Sequence, residues 1–128
     1  MTIIDIFNHS WKINCIGCTI TSLKLNPPGG IIKENNSFYV TQDIEVPIEG
    51  FLVIGAKRHI KSISNFTNKE YKDFCSILLF SRQALNKLQN IRSITIIQEE
   101  HSQHFHLWLF PWHEWIFEKY TWLLKKYK

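Results

Sequence analysis

The chain has 128 residues, enough for one domain and too few for a second of ordinary size. Its 45% hydrophobic and 14% aromatic residues can fill a packed core, and 20% charged residues exclude a disordered tail. Lys125, Lys126 and Lys128 supply three units of the net charge of +4, in a terminal turn where a helix dipole favours them. The rest of the chain is near neutral, at about +1, which argues against general nucleic-acid binding.

Apolar runs such as Ile77-Leu78-Leu79-Phe80 fall far short of the ~20 residues a membrane span needs. Met1-Thr2-Ile3-Ile4-Asp5 lacks the basic region and long apolar stretch of a secretory signal, so the expectation is a soluble, cytoplasmic protein. Three cysteines, an odd number, argue against a disulfide framework. Cys15 and Cys18 form a C-x-x-C, which under reducing conditions means metal, redox chemistry or coincidence.

Along the chain, Asn26-Pro27-Pro28-Gly29-Gly30 is a turn cluster that separates an N-terminal segment from the main body. Residues 30–41, with a turn at Asn35-Asn36, read as a β-hairpin, and residues 50–55 as a buried strand. Thr67-Asn68-Lys69-Glu70 matches a capping box. Tyr71, Phe74, Cys75, Leu78, Leu79, Leu85 and Leu88 then mark one apolar face of a helix running to about residue 90, with Cys75 expected in the core. Strand character returns at residues 94–97 and 104–110, where Pro111 is expected to end the last strand. A Trp- and Leu-rich helix is expected over residues 114–126. Connections too short for parallel crossovers predict a single α+β domain over residues 1–128, with a mostly antiparallel sheet, one long helix and a C-terminal helix.

The chemistry concentrates in His104-Phe105-His106-Leu107-Trp108-Leu109-Phe110-Pro111. Alternation along a strand puts His104, His106 and Trp108 on one face and Phe105, Leu107 and Leu109 on the core face. Hydrogen-bonded surface histidines are the plain alternative. A neutral imidazole, however, also serves for proton transfer, nucleophilic attack or zinc ligation.

The segment resembles the signature of the histidine triad family, His-φ-His-φ-His-φ-φ with φ apolar, with Trp108 in place of the third histidine. The agreement continues in order along the chain. Cys15-Ile16-Gly17-Cys18-Thr19-Ile20 resembles the family's Cys-Ile-Phe-Cys-x-Ile, and Val40-Thr41-Gln42-Asp43-Ile44 its strand ending in Asp-Ile. Phe51-Leu52-Val53-Ile54 with Lys57-Arg58-His59-Ile60 resembles its Phe-Leu-Val-Ile-Pro-Lys-x-His-Ile. The resemblance spans about residues 14–111, leaving 112–128 as a C-terminal extension.

That resemblance implies a two-layer fold, commonly a homodimer, that binds purine nucleotides and cleaves at an α-phosphate through a nucleotidyl-histidine. The substrates implied are adenosine phosphoramidates or diadenosine polyphosphates. By position, His106 is the nucleophile, and His104, Trp108 and Ser102 complete the catalytic set. Asp43 binds the ribose hydroxyls, although taken alone it also reads as a strand-end aspartate. Ile16, Ile20 and Thr41 line the base pocket, and Gln98 lies near the phosphates. Gly17 stands where an aromatic often stacks on the purine, implying a wider pocket. Cys15, Cys18, His59 and His104 match a structural zinc site, with His101 the rival fourth ligand and a rival proton donor. An indole has one N–H and no proton to give, so Trp108 can donate a hydrogen bond and cannot act as a general acid. The alternative is a weakly active or inactive nucleotide-binding protein of the same fold, stabilised by zinc.

Overall fold

A computed structural model describes residues 1–119. Its frame is a five-stranded antiparallel sheet in the order β3-β4-β5-β7-β6. The strands are β3 (Ile31–Glu34), β4 (Phe38–Gln42), β5 (Leu52–Ala56), β6 (Ile91–Gln98) and β7 (His106–His113). A small hairpin, β1 (Thr2–Ile4) with β2 (Ser10–Lys12), precedes the six-residue helix α1 (Ile16–Thr21). The long helix α2 (Asn68–Ala84) lies between β5 and β6 in the chain. The expected α+β class and mostly antiparallel sheet are therefore observed. Among the described residues, no helix is long and apolar enough to cross a membrane.

Local chemistry explains the elements. Asn35 Oδ1 accepts the Ser37 and Phe38 N–H groups at 3.0 and 2.9 Å, closing the β3–β4 turn where the Asn pair predicted it. The capping box at Thr67 is formed in both directions. Its Glu70 is also gripped by Arg58, whose Nη2 donates to Oε1 at 2.7 Å and Nε to Oε2 at 3.1 Å. This ties the start of α2 to the segment that carries His59.

Alternation divides the sheet into two faces. Phe38, Val40, Leu52, Ile54, Phe105, Leu107 and Leu109 pack against Phe66, Phe74, Ile77 and Leu85. Four of those rings, Phe38, Phe66, Phe74 and Phe105, meet mostly edge to face, with centroids 5.0–6.1 Å apart. The opposite face gathers Tyr39 and Ile44 with Ile3, Ile20 and Leu25 under the N-terminal segment. One face is thus committed to the core, and the other is left to form a site.

Several expectations are corrected. The buried stripe of α2 runs through Glu70, Phe74, Ile77 and Ser81, so Cys75 is exposed, with Tyr71 and Leu79 beside it. The α-helix ends at Ala84, tightens to a 3₁₀ turn at Leu85–Lys87, and reaches Asn90 with φ of 63°. Pro111 does not end β7, which continues to His113. The Phe105 carbonyl accepts the Ala56 N–H, so alternation turns position 111's missing N–H toward β5. The β5 register stops at Leu52–Leu109, so the proline removes no ladder bond there.

The β1–β2 hairpin and α1 were not expected from the sequence. Asp5 organises the hairpin, accepting from Phe7 N, His9 N and Trp11 Nε1 at 2.9, 2.9 and 3.0 Å. The C-terminal helix begins at residue 114 as expected. The part of that expectation beyond residue 119, with Trp122 and the terminal lysines, lies outside the described residues.

Candidate active site and metal centre

The pocket on the non-core face of the sheet has a volume of about 370 Å³, a size suited to a small ligand. Its floor is made of register rows. Tyr39, Gly55 and His106 stand side by side on β4, β5 and β7, and Thr41, Val53 and Trp108 form the next row. Ile16, Ile20, Asp43, Ser102, His59 and His104 also line it. With Cys15, ten of the proposed site residues therefore converge here, joined by Cys18 behind them in the cysteine–histidine cluster.

His106 is half-buried, and its Nδ1 lies 3.1 Å from the His104 carbonyl oxygen. A carbonyl only accepts, so Nδ1 carries the hydrogen and the Nε2 lone pair is free. Ser102 reinforces this geometry, donating from Oγ to the same carbonyl at 2.9 Å and lying 3.2 Å from His106 Nδ1. The Trp108 ring stands edge-on to His106 with centroids 5.0 Å apart.

Asp43 uses Oδ1 to accept the Glu45 and Val46 N–H groups at 3.0 and 2.8 Å, which leaves Oδ2 for a ligand. Burial pushes its carboxyl above the usual range, against the downward pull of those two N–H groups and of His106.

His104 precedes the regular part of β7 instead of starting it as expected, and it is buried. Its Nε2 donates to the Ala56 carbonyl at 2.5 Å, so Nδ1 turns an unprotonated lone pair toward the cysteines. Burial is the main influence holding this imidazole below its ordinary pKa and therefore neutral.

Around Nδ1 lie Cys15 Sγ and Cys18 Sγ, both at 3.4 Å, and His59 Nδ1 at 3.2 Å. His59 Nδ1 in turn lies 3.6 and 3.1 Å from the two sulfurs. A tetrahedral zinc with ordinary bond lengths would separate two nitrogens by about 3.3 Å and a nitrogen from a sulfur by about 3.5 Å. The nitrogen–nitrogen and nitrogen–sulfur spacings are close to these values, so the donor set suits such an ion. Two thiolates and two imidazoles fill a tetrahedron, which describes a structural centre with no position for substrate. Burial, together with the neighbouring Cys15 thiol, raises the Cys18 pKa when no metal is bound.

Gly17 explains how the cluster closes. A Cβ there would overlap the His104 ring, so only glycine lets α1 come this near. The Cβ direction at residue 17 is thus taken up by the His104 ring, while Gly17 itself lines the pocket.

Two sequence-based assignments fall away from the site. Gln98 pairs with Leu107, whose side chain is on the core face, and its amide donates to the Glu99 carbonyl; it does not line the pocket. His101 is exposed and paired with Glu99 at 3.2 Å, outside both the pocket and the cysteine–histidine cluster. Glu99 and Glu100 also lie outside the pocket, Glu100 accepting from Ser62 Oγ at 2.7 Å. Tyr39 and Glu45 line the pocket and were not singled out from sequence; the signal for Tyr39 was available in its place two residues before Thr41 on one strand.

No protein-family model matches the chain, and no curated protein does. Solved structures share its fold. A member of the HIT family of proteins from Bacillus subtilis superposes with a TM-score of 0.69 at 18% identity, over 80% of this chain and 75% of that one. A HIT family protein from Bacillus anthracis gives 0.67 at 21% identity, over 78% and 74%. A histidine triad nucleotide-binding protein from Candida albicans gives 0.66 at 18% identity, over 88% and 94%.

The buried Asp43 makes a pH prediction. A carboxyl whose folded pKa is raised favours folding most at pH below its unfolded value near ~3.9, and that contribution is lost as pH rises through the folded value. Asp43→Asn keeps the acceptor for both N–H groups and removes the titration. Its stability relative to the wild type in urea denaturation should therefore be higher at pH 7 than at pH 4. An equal or reversed difference would contradict this account of Asp43.

Proposed function

We propose that this chain, which has the fold of the histidine triad proteins, is a nucleotide hydrolase acting at an α-phosphate, with adenosine phosphoramidates or diadenosine polyphosphates as substrates. The observation that carries the reading is His106, with Nδ1–H held by the His104 carbonyl and Nε2 free in a pocket that also contains Asp43.

The residues assign the steps. Asp43 Oδ2 accepts hydrogen bonds from the ribose hydroxyls, while Ile16, Ile20 and Thr41 contact the base. His106 Nε2 attacks the α-phosphorus in line. A phosphorus–nitrogen bond forms as the bond to the amine or phosphate leaving group breaks, and that group departs with the electron pair, an amine taking a proton from solvent water as it leaves. Positive charge on the imidazole is relieved toward the His104 carbonyl. Water then attacks phosphorus as the phosphorus–nitrogen bond breaks, its proton passing to solvent, which releases the nucleoside monophosphate and restores neutral His106. Trp108 donates its single N–H to a non-bridging oxygen, and Ser102 keeps the His104 carbonyl and the His106 ring in register.

Cys15, Cys18, His59 and His104 would hold a structural zinc, which supplies no reacting position and pins the N-terminal segment to the sheet beside the nucleophile. A homodimer and a cytoplasmic location belong to the same reading. The outer strand β6 exposes Ile96 and helix α2 exposes Leu79, surfaces available to a second copy, and all three cysteines are free thiols, as a reducing compartment requires.

His106→Ala should lower release of AMP from adenosine phosphoramidate by at least about 10³-fold while leaving folding and AMP binding in place. Turnover equal to the wild type would rule out the nucleophile. Purified wild type should carry about one equivalent of zinc per chain. Cys18→Ser should lose it, and Gly17→Ala should weaken it about 10- to 100-fold by displacing His104. A metal-free wild type that gains no thermal stability from added zinc would remove the metal from the account.

A further inference from the structure

The mechanism leaves one buried polar group in the pocket unused. Tyr39 is only 3% exposed, yet it lines the cavity. Its ring lies across Gly55, its register partner, where a Cβ would overlap the phenol oxygen. Gly55 in turn pairs with His106. The absent side chain at 55 therefore opens a path along which the hydroxyl reaches over β5, to about one strand spacing from the His106 Cβ.

Among the described residues, nothing forms a hydrogen bond with this hydroxyl. No fully enclosed polar side-chain atom there lacks a partner either, so the oxygen opens on the cavity. A phenol with an unanswered O–H, fixed in the nucleophile's row, is a prepared donor. Burial and the two nearby cysteines raise its pKa, so the proton stays on. The neighbouring row offers the indole N–H of Trp108 and, two strands away, the Thr41 hydroxyl.

We propose that Tyr39 is a further substrate-contacting residue, its hydroxyl donating a hydrogen bond to a phosphate oxygen of the nucleotide whose α-phosphorus faces His106. The assignment rests on the nucleotide reading above, and it supplies a phosphate donor beside the strand position where Trp108 stands. The pair acts as a unit: the glycine provides the space and the tyrosine the donor.

The test is calorimetric titration of wild type and Tyr39→Phe with AMP and with adenosine, metal content being measured on both proteins. Removing a hydrogen bond to a charged oxygen should weaken AMP about 10- to 100-fold. Adenosine, which has no phosphate, should bind both proteins alike, and metal content should not change. Gly55→Ala, which keeps the phenol but displaces it, should show the same AMP-selective loss. Unchanged AMP affinity in Tyr39→Phe would overturn the proposal and leave the hydrolase reading standing. Equal weakening of AMP and adenosine, or loss of metal together with AMP, would make Tyr39 a packing or metal-site residue and would also overturn it. A wild type that binds neither ligand would end the nucleotide reading and this proposal with it.

Discussion

The site depends on His104 being held from two directions. Its side chain is trapped between the Ala56 carbonyl and the pair of cysteines, and its own carbonyl takes the His106 Nδ1–H. The first contact fixes where the backbone of residue 104 lies; the second uses that backbone to fix which nitrogen of His106 is free. A shift of the ring would therefore change the tautomer and aim of the neighbouring imidazole. The cysteine–histidine cluster and the pocket are two uses of one stretch of chain, and metal bound by the cluster would stiffen His106 without occupying the pocket.

The rest of the molecule supports that stretch from both faces of the sheet. Phe105, between the two histidines, is fully buried against Phe38, Phe66 and Phe74, so the strand cannot rotate to swap its faces. On the other side α1 approaches closely because residue 17 is glycine. The capping box and the Arg58–Glu70 pair anchor the segment leading to His59. Core packing sets the position, hydrogen bonds set the protonation, and the open face is left for chemistry.

Much of this was legible in the sequence because it follows from period and local geometry. Alternation in His104 to Leu109 separated core from site residues, and Thr67 and Glu70 announced the start of α2, whereas the grouping of Cys15, Cys18, His59 and His104 came from the family resemblance, since no local pattern joins them. What was missed depends on tertiary context. Cys75 reads as core because it sits one position from Phe74, yet the sheet covers a stripe centred on Phe74 and Ile77. Pro111 reads as a stop because a proline lacks an N–H, and only the sheet order shows that no partner was waiting for one. Gln98 was placed by resemblance, whereas its register with Leu107 turns it to the other face. The Tyr39–Gly55 contact joins residues on different strands, and no local pattern announces it.

The central claim is that His106 becomes bonded to phosphorus, and the most direct measurement is mass spectrometry of protein quenched in acid-free medium during turnover of adenosine phosphoramidate. The account predicts an adenylyl adduct on the peptide containing His106, present during turnover and gone once substrate is exhausted. Steady release of AMP with the adduct on another residue, or with no adduct when the second step is slowed, would contradict it.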